Sequence, residues 1–416
     1  MTRRVAATVS LLLVGVLMLA VAPGLVGCGD NGGGGGEVEI IIGYEGDWTG
    51  PAAPGAAEYG GGFLDYIRWT NEEDPIPGVK LTVKSYDTRS DYSRVPIGYS
   101  WLKGQGMEVF VAPSPADMDI NYSKLEQDHL AGFGTTSLLG IRNATWAFWL
   151  FETMEGQNEF LADWIATRDW DYDTEGRNPR VAFVGWSGLI SSEGSLDGVE
   201  SYIEAHQDKF DWQGAYMSPI GNVSWSTEAT KLVDCDYIVI GTIGAGSASL
   251  IKEFRQRGFA GGILSCSSPV TGWWNLITTS LDADLLYGQY TSQQMPWFSD
   301  NPFTQFCRTI ALKYHDQEWV DTAFKQSSYF TGPAWGMMVV SAIRTAAEAV
   351  GPENVDSEAI REAAESLDLD MTADGWGIPW NLGPDNHVAC DTTEIILTWD
   401  LQAQKWVAVT DYYAYP

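Results

Sequence analysis

VEIIIGYEGDWTGPAAPGAAEYGGGFLDYIRWT, residues 38–70, contains the pattern from which the architecture of the chain can be predicted. The β-branched run Val38–Ile42 ends at a glycine, a loop rich in Gly, Pro and Ala follows, and an amphipathic segment then carries Phe63 and Ile67. Strand, loop and helix in this order predict the first unit of an α/β sheet. Ligands bind such sheets at the carboxyl ends of the strands, so the loop Glu45–Tyr59 is the first candidate for a site.

The same pattern recurs along the chain. Short strands are predicted at Val79–Tyr86, Val109–Ala112 and Ala131–Gly134, with helical segments between them. A second series of strands and helices begins at Arg180–Gly185 and continues through Gly262–Ser265. Strands that alternate with helices predict parallel sheets with right-handed crossovers, so the predicted fold class is α/β.

Composition limits the classes of partner. The 416 residues include 55 acidic and 24 basic residues, for a formal net charge of −31. This balance argues against a basic surface for nucleic acid and against attraction to anionic lipid. A hydrophobic content of 45% is enough for substantial cores.

The first residues predict export. Arg3 and Arg4 precede the apolar segment Val9–Val21, and Leu25–Cys28 resembles a bacterial lipobox, in which the cysteine is lipidated and becomes the mature N terminus. We therefore expect residues 1–27 to be a lipoprotein signal peptide and 28–37 a glycine-rich tether. The alternative is an ordinary secreted protein in which Cys28 has no role.

The remaining cysteines leave two alternatives open. Cys235, Cys266, Cys307 and Cys390 are not spaced like a CxxC metal or redox site. An exported chain permits a disulfide among them, and isolated buried thiols are the other alternative.

Motifs for catalysis or cofactor binding are incomplete. Gly185–Gly188 reads GWSG and lacks the G-x-S-x-G spacing of a nucleophile elbow, and Gly241–Gly246 lacks the spacing of a dinucleotide loop. The four histidines are isolated in the sequence. We therefore predict no enzyme activity, no cofactor and no metal, although an exported α/β hydrolase stays an alternative.

The order of several segments resembles the type I periplasmic substrate-binding proteins of the branched-chain amino acid, amide and urea ABC transporter class, which are similar to the Leu/Ile/Val-binding protein. The resemblance covers nearly all of Val38–Val409. It is carried by Ile42-Gly43 through Thr49-Gly50-Pro51, Tyr59-Gly60, Val109–Pro113, Arg180–Ser195, Lys231–Gly241, Leu250–Gly258 and Gly262–Ser268.

The resemblance implies two Rossmann-like lobes joined by a three-strand hinge, with a ligand held between them. Lobe 1 is expected to comprise 38–147 and 292–385, and lobe 2 to comprise 148–291 and 386–416. Carried over by position, the implied ligand contacts are Trp48, Tyr59, Ser114, Ala116, Asp117, Thr135, Thr136, Ser137, Trp186, Ile190, Ile243, Ser268 and Tyr290.

One loop departs from the family pattern. Amino-acid binders of this class have an acid near the position of Ser268, whereas Ser265–Pro269 contains none. A buried ammonium without a counter-charge is costly, so this loop argues against an α-amino acid ligand. The nearest acids, Asp117 and Glu193, lie on other loops, and surplus tryptophans point to a larger apolar ligand: Trp48, Trp186, Trp273, Trp274 and Trp297.

The resulting functional hypothesis is an extracytoplasmic solute-binding protein of an ABC importer, anchored to the cell membrane by lipid on Cys28. It would be a monomer that clamps a small polar or aromatic molecule of the amino acid, amide or carboxylate class. Its partners would be permease and ATPase subunits, without nucleic acid, and its only membrane contact would be the N-terminal lipid. A sensing lipoprotein that presents its ligand to a signalling partner is the alternative.

Overall fold

The computed structural model describes residues 37–370, 379–390 and 393–414. The predicted α/β class is confirmed, because most strands alternate with helices and belong to two sheets. The strands are β1 (Val38–Gly46), β2 (Val79–Asp87), β3 (Val109–Ala112), β4 (Ala131–Gly134), β5 (Ala147–Phe151), β6 (Arg180–Ser187), β7 (Asp211–Pro219), β8 (Tyr237–Gly241), β9 (Gly262–Ser265), β10 (Gln289–Gln293), β11 (Asp368–Asp370), β12 (Pro379–Asn381), β13 (Val388–Cys390), β14 (Thr393–Asp400), β15 (Lys405–Ala408) and β16 (Tyr413–Ala414).

The helices cover the faces of these sheets. They are α1 (Ala53–Glu73), α2 (Val95–Gly104), α3 (Pro115–Asp128), α4 (Met154–Trp164), α5 (Tyr172–Glu175), α6 (Ile190–Ala205), α7 (Ser226–Lys231), α8 (Ala245–Gln256), α9 (Ser267–Thr271), α10 (Trp274–Ser280), α11 (Pro302–Tyr314), α12 (Gln317–Ala323), α13 (Ser328–Val350) and α14 (Ser357–Glu365).

The first lobe is built on a six-stranded sheet with the order β13-β5-β4-β3-β1-β2. All five of its strand pairs are parallel. Strand β1 lies between β2 and β3, and its Ile40 and Ile42 are fully buried. The carboxyl ends of β1 to β4 therefore meet along one edge.

The second lobe is built on a mixed sheet in which β15-β14-β10-β9-β8-β6-β7 follow one another and β16 also pairs with β14. Strands β10, β9, β8, β6 and β7 are parallel, and β14 runs antiparallel to β10, β15 and β16. Strands β14 and β15 form an antiparallel hairpin at one edge of this sheet.

The chain passes between the two sheets after β5, after β10 and between β13 and β14. The predicted boundaries at 147/148, 291/292 and 385/386 differ from these positions. Strands β5 and β13 belong to the first sheet and β10 belongs to the second, so each crossing lies a few residues later than predicted. Periodicity in the sequence predicts where a strand lies but not which sheet it joins, so the sequence did not show where each crossing falls.

Helices α1 and α13 pack closely against each other in the first lobe. Gly62 of α1 faces the Tyr329 carbonyl oxygen of α13, and Gly332 of α13 faces the backbone of Phe63. The absence of side chains at these two glycines allows close approach of the backbones. The rings of Phe63 and Trp335 pack beside this crossing, 5.0 Å apart between centroids.

The described part of the chain shows whether Cys235, Cys266, Cys307 and Cys390 form a disulfide with one another. Cys235, Cys266 and Cys307 are buried free thiols, and Cys390 is also buried. No pair among these four is therefore joined, and the disulfide alternative is wrong. The predicted signal peptide, tether and Cys28 lie outside the described residues. Within the described ranges, no helix combines the length and apolar character needed to cross a membrane.

Candidate ligand-binding cleft

A cavity of about 530 Å³ lies where the carboxyl ends of the two sheets face each other. The first lobe contributes residues that follow β1, β2, β3 and β4, and the second contributes residues that follow β6, β7, β8 and β9. Its lining residues are Asp47, Pro51, Ala52, Ala56, Tyr59, Thr88, Ser90, Tyr92, Pro113, Ser114, Pro115, Asp117, Thr135, Thr136, Met154, Trp186, Leu189, Ser191, Ile220, Gly221, Val223, Ile243, Ala245, Gly246, Pro269 and Trp273.

The loop after β1 is shaped by Asp47. Its buried carboxylate accepts hydrogen bonds from the backbone N–H groups of Gly50, at 2.5 Å, and Ala52, at 2.9 Å. The hydroxyl of Ser90, from the loop after β2, donates to the same carboxylate. Asp47 therefore folds the loop back over the strand and leads it into α1.

Asp117 is the second acid of the first-lobe wall. It lies in the first turn of α3, which begins at Pro115 after the cap residue Ser114. Its side chain is only 4% exposed and lines the cavity. Burial raises the pKa of Asp117 to about 7, the hydrogen bond with Ser114 opposes that rise, and nearby Asp47 adds to it.

Glu45 lies behind this wall and is fully buried. The side-chain amide of Asn121 donates to its carboxyl at 2.7 Å. Burial and the charge of Asp117 raise the pKa of Glu45 to about 9, and the bond from Asn121 partly opposes this. Glu45 is therefore protonated near neutral pH, which avoids a buried, unpaired charge.

Two threonine hydroxyls follow β4. Thr135 donates to the Pro113 carbonyl at 2.6 Å, and Thr136 donates to the Glu152 carbonyl at 2.5 Å. The side-chain amide of Gln157 in turn donates to the Thr136 hydroxyl at 3.2 Å. These bonds fix both hydroxyls against the wall.

The second-lobe wall is formed around two indoles. Trp186, at the end of β6, is 7% exposed and donates through Nε1 to the Asn222 carbonyl at 2.9 Å. Its ring lies against Gly246, where a Cβ atom would collide with it. Trp273 precedes α10 and is also nearly buried.

Hydrogen bonds join the two lobes around the cavity. Trp273 Nε1 donates across the cleft to the Ala52 carbonyl at 3.2 Å. The Tyr92 hydroxyl of the first lobe also lies close to the Ile190 backbone of the second. Farther from the cavity, Asn275 Nδ2 donates to the Thr322 carbonyl at 2.9 Å. The chain is therefore in a conformation in which the lobes contact each other.

Part of the predicted contact set lies together in this cavity. Tyr59, Ser114, Asp117, Thr135 and Thr136 line it from the first lobe. From the second lobe, Trp186 and Ile243 line it.

Five of the other predicted contacts lie outside the cavity wall as the described residues form it. Trp48 packs on Tyr44 with centroids 5.2 Å apart, and Tyr290 packs on Trp164 with centroids 5.1 Å apart. Ala116 and Ser137 are buried beside the wall, and Ile190 begins α6. Ser268 belongs to α9, and its side chain is outside the described part of the structure.

The geometry of the cavity shows which of the acids, serines and metal-binding side chains considered from the sequence could reach a ligand. Glu193 is exposed and accepts from the Gly188 N–H at 2.8 Å, so of the two nearest acids only Asp117 reaches the cavity. Ser187, the serine of GWSG, is exposed and outside the wall. Over residues 37–370, 379–390 and 393–414, no histidine lines the cavity and no group of His, Cys, Asp and Glu side chains could hold a metal ion.

Sequence reasoning missed several lining residues. Asp47 lies in the predicted loop but was not selected, although an acid three residues before a glycine is a turn signal. Tyr92 follows β2 without any motif that marks it as a ligand contact, and Trp273 is only one of several surplus tryptophans in the sequence. The segment around Ile220 and Val223 follows β7. The rule that ligands bind at the carboxyl ends of strands would have predicted this segment as part of the site.

A two-lobed α/β clamp with a cavity between its strand ends defines a ligand-binding protein. The sequence profile of the periplasmic binding protein family matches residues 39–395. The chain therefore belongs to the periplasmic binding protein family, and the predicted resemblance to its type I members is confirmed. This family consists of binding proteins rather than enzymes, in agreement with the prediction for this chain.

Solved structures share the fold at low identity. A branched chain amino acid ABC transporter protein from Thermus thermophilus with bound valine is 16% identical, with a TM-score of 0.77 over 91% of this chain and 97% of that one. A fatty acid ABC transporter substrate-binding protein from Thermomonospora curvata is 17% identical, with a TM-score of 0.74 over 92% and 94%.

A possible leucine/isoleucine/valine-binding protein from Rhodopirellula baltica is 16% identical, with a TM-score of 0.73 over 91% of this chain and 98% of that one. No curated protein sequence matches the chain. The structural neighbours therefore establish the fold and leave the ligand to be inferred from the cavity.

Proposed function

We propose that this chain is the extracytoplasmic solute-binding protein of an ABC importer and that it binds one small molecule between its lobes. The cavity with walls from both lobes is the observation that carries this proposal. A ligand in contact with both walls would stabilise the closed arrangement, which is how hinged two-lobed proteins couple binding to a change of shape. Permease and ATPase subunits in the membrane would then recognise the closed form.

A thermal-shift screen tests the binding function. The purified protein is unfolded and refolded to remove any bound molecule and is then heated with amino acids, amides, urea, aromatic acids and amines. A ligand present at about 100 times its Kd stabilises the native state by about 2.7 kcal/mol, which gives a clear rise in Tm. If no compound of these classes gave a saturable shift, the proposal would be contradicted.

The proposed anchor is a lipid on Cys28. It is supported by the sequence Leu25–Cys28 after a signal-like segment and by the extracytoplasmic class of the family. In cells that express the full chain, Cys28→Ser should move the protein from the membrane fraction to the soluble fraction. Cys235→Ser, a change at a buried thiol far along the chain, is the control and should leave the protein with the membrane.

A further inference from the structure

The two walls of the cavity differ in chemistry. Among the described residues of the second-lobe wall, Ser191 is the one with a hydroxyl side chain, and the others are glycines and apolar residues as large as Trp186 and Trp273. Of the described lining residues, the first-lobe wall contains all those with carboxyl groups and most of those with hydroxyl groups: Asp47, Thr88, Ser90, Tyr92, Ser114, Asp117, Thr135 and Thr136, with Tyr59. A ligand that fits both walls has an apolar body and a polar group at one end.

The charged side chains described on the cavity wall are all acidic. Among the described residues, no Lys, Arg or His lines the cavity. The Asp47 carboxylate is occupied by two backbone N–H groups and the Ser90 hydroxyl. Asp117, which has a hydrogen bond with Ser114, is the lining acid with acceptor capacity left for a ligand.

Three hydroxyl groups of the same wall already donate their protons to the protein. The hydroxyls of Ser90, Thr135 and Thr136 donate to acceptors of the protein, so they offer a ligand only lone pairs. The phenolic hydroxyl of Tyr92 can both donate and accept. The polar wall therefore presents mainly acceptors.

We infer that the ligand is an apolar or aromatic molecule with a cationic amine head, and that Asp117 of the first lobe receives this head while Trp186 and Trp273 contact the body. This ligand class deepens the proposed binding function and rests on it. An ammonium supplies several N–H donors and a positive charge, which match an acceptor wall around an acid. A carboxylate head would be buried beside Asp117 with no cation to pair it, which is costly.

Matched probe pairs with the same body and opposite heads test the inference: phenethylamine against 3-phenylpropionate, tryptamine against indole-3-propionate, and octylamine against octanoate. We expect at least one amine to raise Tm saturably at neutral pH and its carboxylate partner to have no effect. Affinity for that amine is then measured by calorimetry in the wild type and in variants.

Asp117→Asn should weaken the amine about 10- to 100-fold, because a charge-assisted hydrogen bond becomes a neutral one. Asp119→Asn is the matched control. Asp119 lies on the same helix, is half-buried and is not part of the cavity wall, so its replacement should leave the affinity unchanged.

Amine affinity can also be measured over a pH series in the wild type, a test that does not require the Asp117→Asn variant to fold. The ionisable groups around Asp117 are Asp47, Glu45, Tyr44 and Tyr92. Burial raises the pKa of Glu45, Tyr44 and Tyr92, so these three stay neutral near pH 7. Amine affinity should therefore rise from about pH 6 to about pH 8 as Asp117 loses its proton.

The outcomes separate the inference from the binding function. If carboxylates or neutral amides bind and no amine does, the amine assignment is overturned while the binding function stands. Amine binding that is unchanged in Asp117→Asn and between pH 6 and 8 overturns the role of Asp117. If no amine, carboxylate, amide, urea or amino acid binds, both the inference and the binding function fail.

Discussion

The backbone N–H of Glu152 donates a 3.2 Å hydrogen bond to the side-chain oxygen of Gln294. The amide nitrogen of the same glutamine donates to the Cys390 carbonyl at 2.7 Å. Glu152 follows β5, Gln294 follows β10, and Cys390 is the last residue of β13. The chain passes between the lobes next to each of these residues. One buried side chain therefore connects all three strands of the hinge.

Gln294→Ala should lower the stability of the whole chain. It removes the two hydrogen bonds that this buried side chain makes to Glu152 and Cys390, and each such bond contributes about 0.5–1.5 kcal/mol. We expect a total loss of about 1–3 kcal/mol in the free energy of unfolding, measured by urea denaturation. The control is Gln305→Ala on the surface of α11, where the side chain bonds only to Asp300 and the change should be close to zero.

Two adjacent glycines of α1 should respond in opposite directions to the same substitution. A Cβ at Gly62 would collide with the Tyr329 carbonyl of α13, so Gly62→Ala should destabilise the protein by about 1–3 kcal/mol. A Cβ at Gly61 meets nothing within 4 Å, so Gly61→Ala should stabilise the helix by up to about 1 kcal/mol. Thermal unfolding of both variants checks this; a similar loss of Tm in both would contradict the proposed tight helix crossing.

Glu45 should make stability decrease with pH. Its folded-state pKa of about 9 lies above the ordinary value of 4.5, so the folded state binds the proton more tightly than the unfolded state. Its contribution is fully present below about pH 4.5 and is lost as pH rises through about 9, with a slope of up to about 1.4 kcal/mol per pH unit.

Glu45→Gln removes this titration and keeps a group that can bond to Asn121. The difference in unfolding free energy between wild type and variant, measured between about pH 5 and about pH 9, isolates Glu45 from other buried acids such as Asp117. A constant difference over this range would mean that Glu45 is charged in the folded protein.

Asn275→Ala should weaken ligand binding more than it changes stability. The bond from Asn275 to the Thr322 carbonyl joins the lobes, so it contributes only when they are closed. Its loss should reduce affinity for a bound probe about 2- to 10-fold, which corresponds to one hydrogen bond. Asn354→Ala removes a comparable 2.8 Å bond to the Val350 carbonyl within the first lobe and should leave affinity unchanged.

The fold was readable from sequence because each parallel strand is a short apolar run followed by a helix. The run at Val38–Ile42 predicted β1, and the carboxyl-end rule led to cavity residues as far apart as Tyr59 and Ile243. Both inferences depend on periodicity and chain order, which a single sequence contains.

The rest of the site depends on contacts between distant parts of the chain. Trp273 bonds to Ala52 across 221 residues, and no local pattern encodes that pair. Trp48 follows β1 and Tyr290 lies in β10, but each ring packs on another aromatic ring instead of lining the cavity. The direction of a side chain at a strand end is thus decided by its neighbours in space.

The hydrogen bond between Trp273 and Ala52 should also slow the release of a bound ligand from the cavity. A molecule in contact with both Asp117 and Trp186 is enclosed by lobes that this bond holds together, so it leaves only after the lobes separate. Dissociation is then limited by the opening rate rather than by diffusion out of the cleft. Purified protein is expected to retain ligand from the cells that produced it, and dialysis alone would replace that ligand slowly.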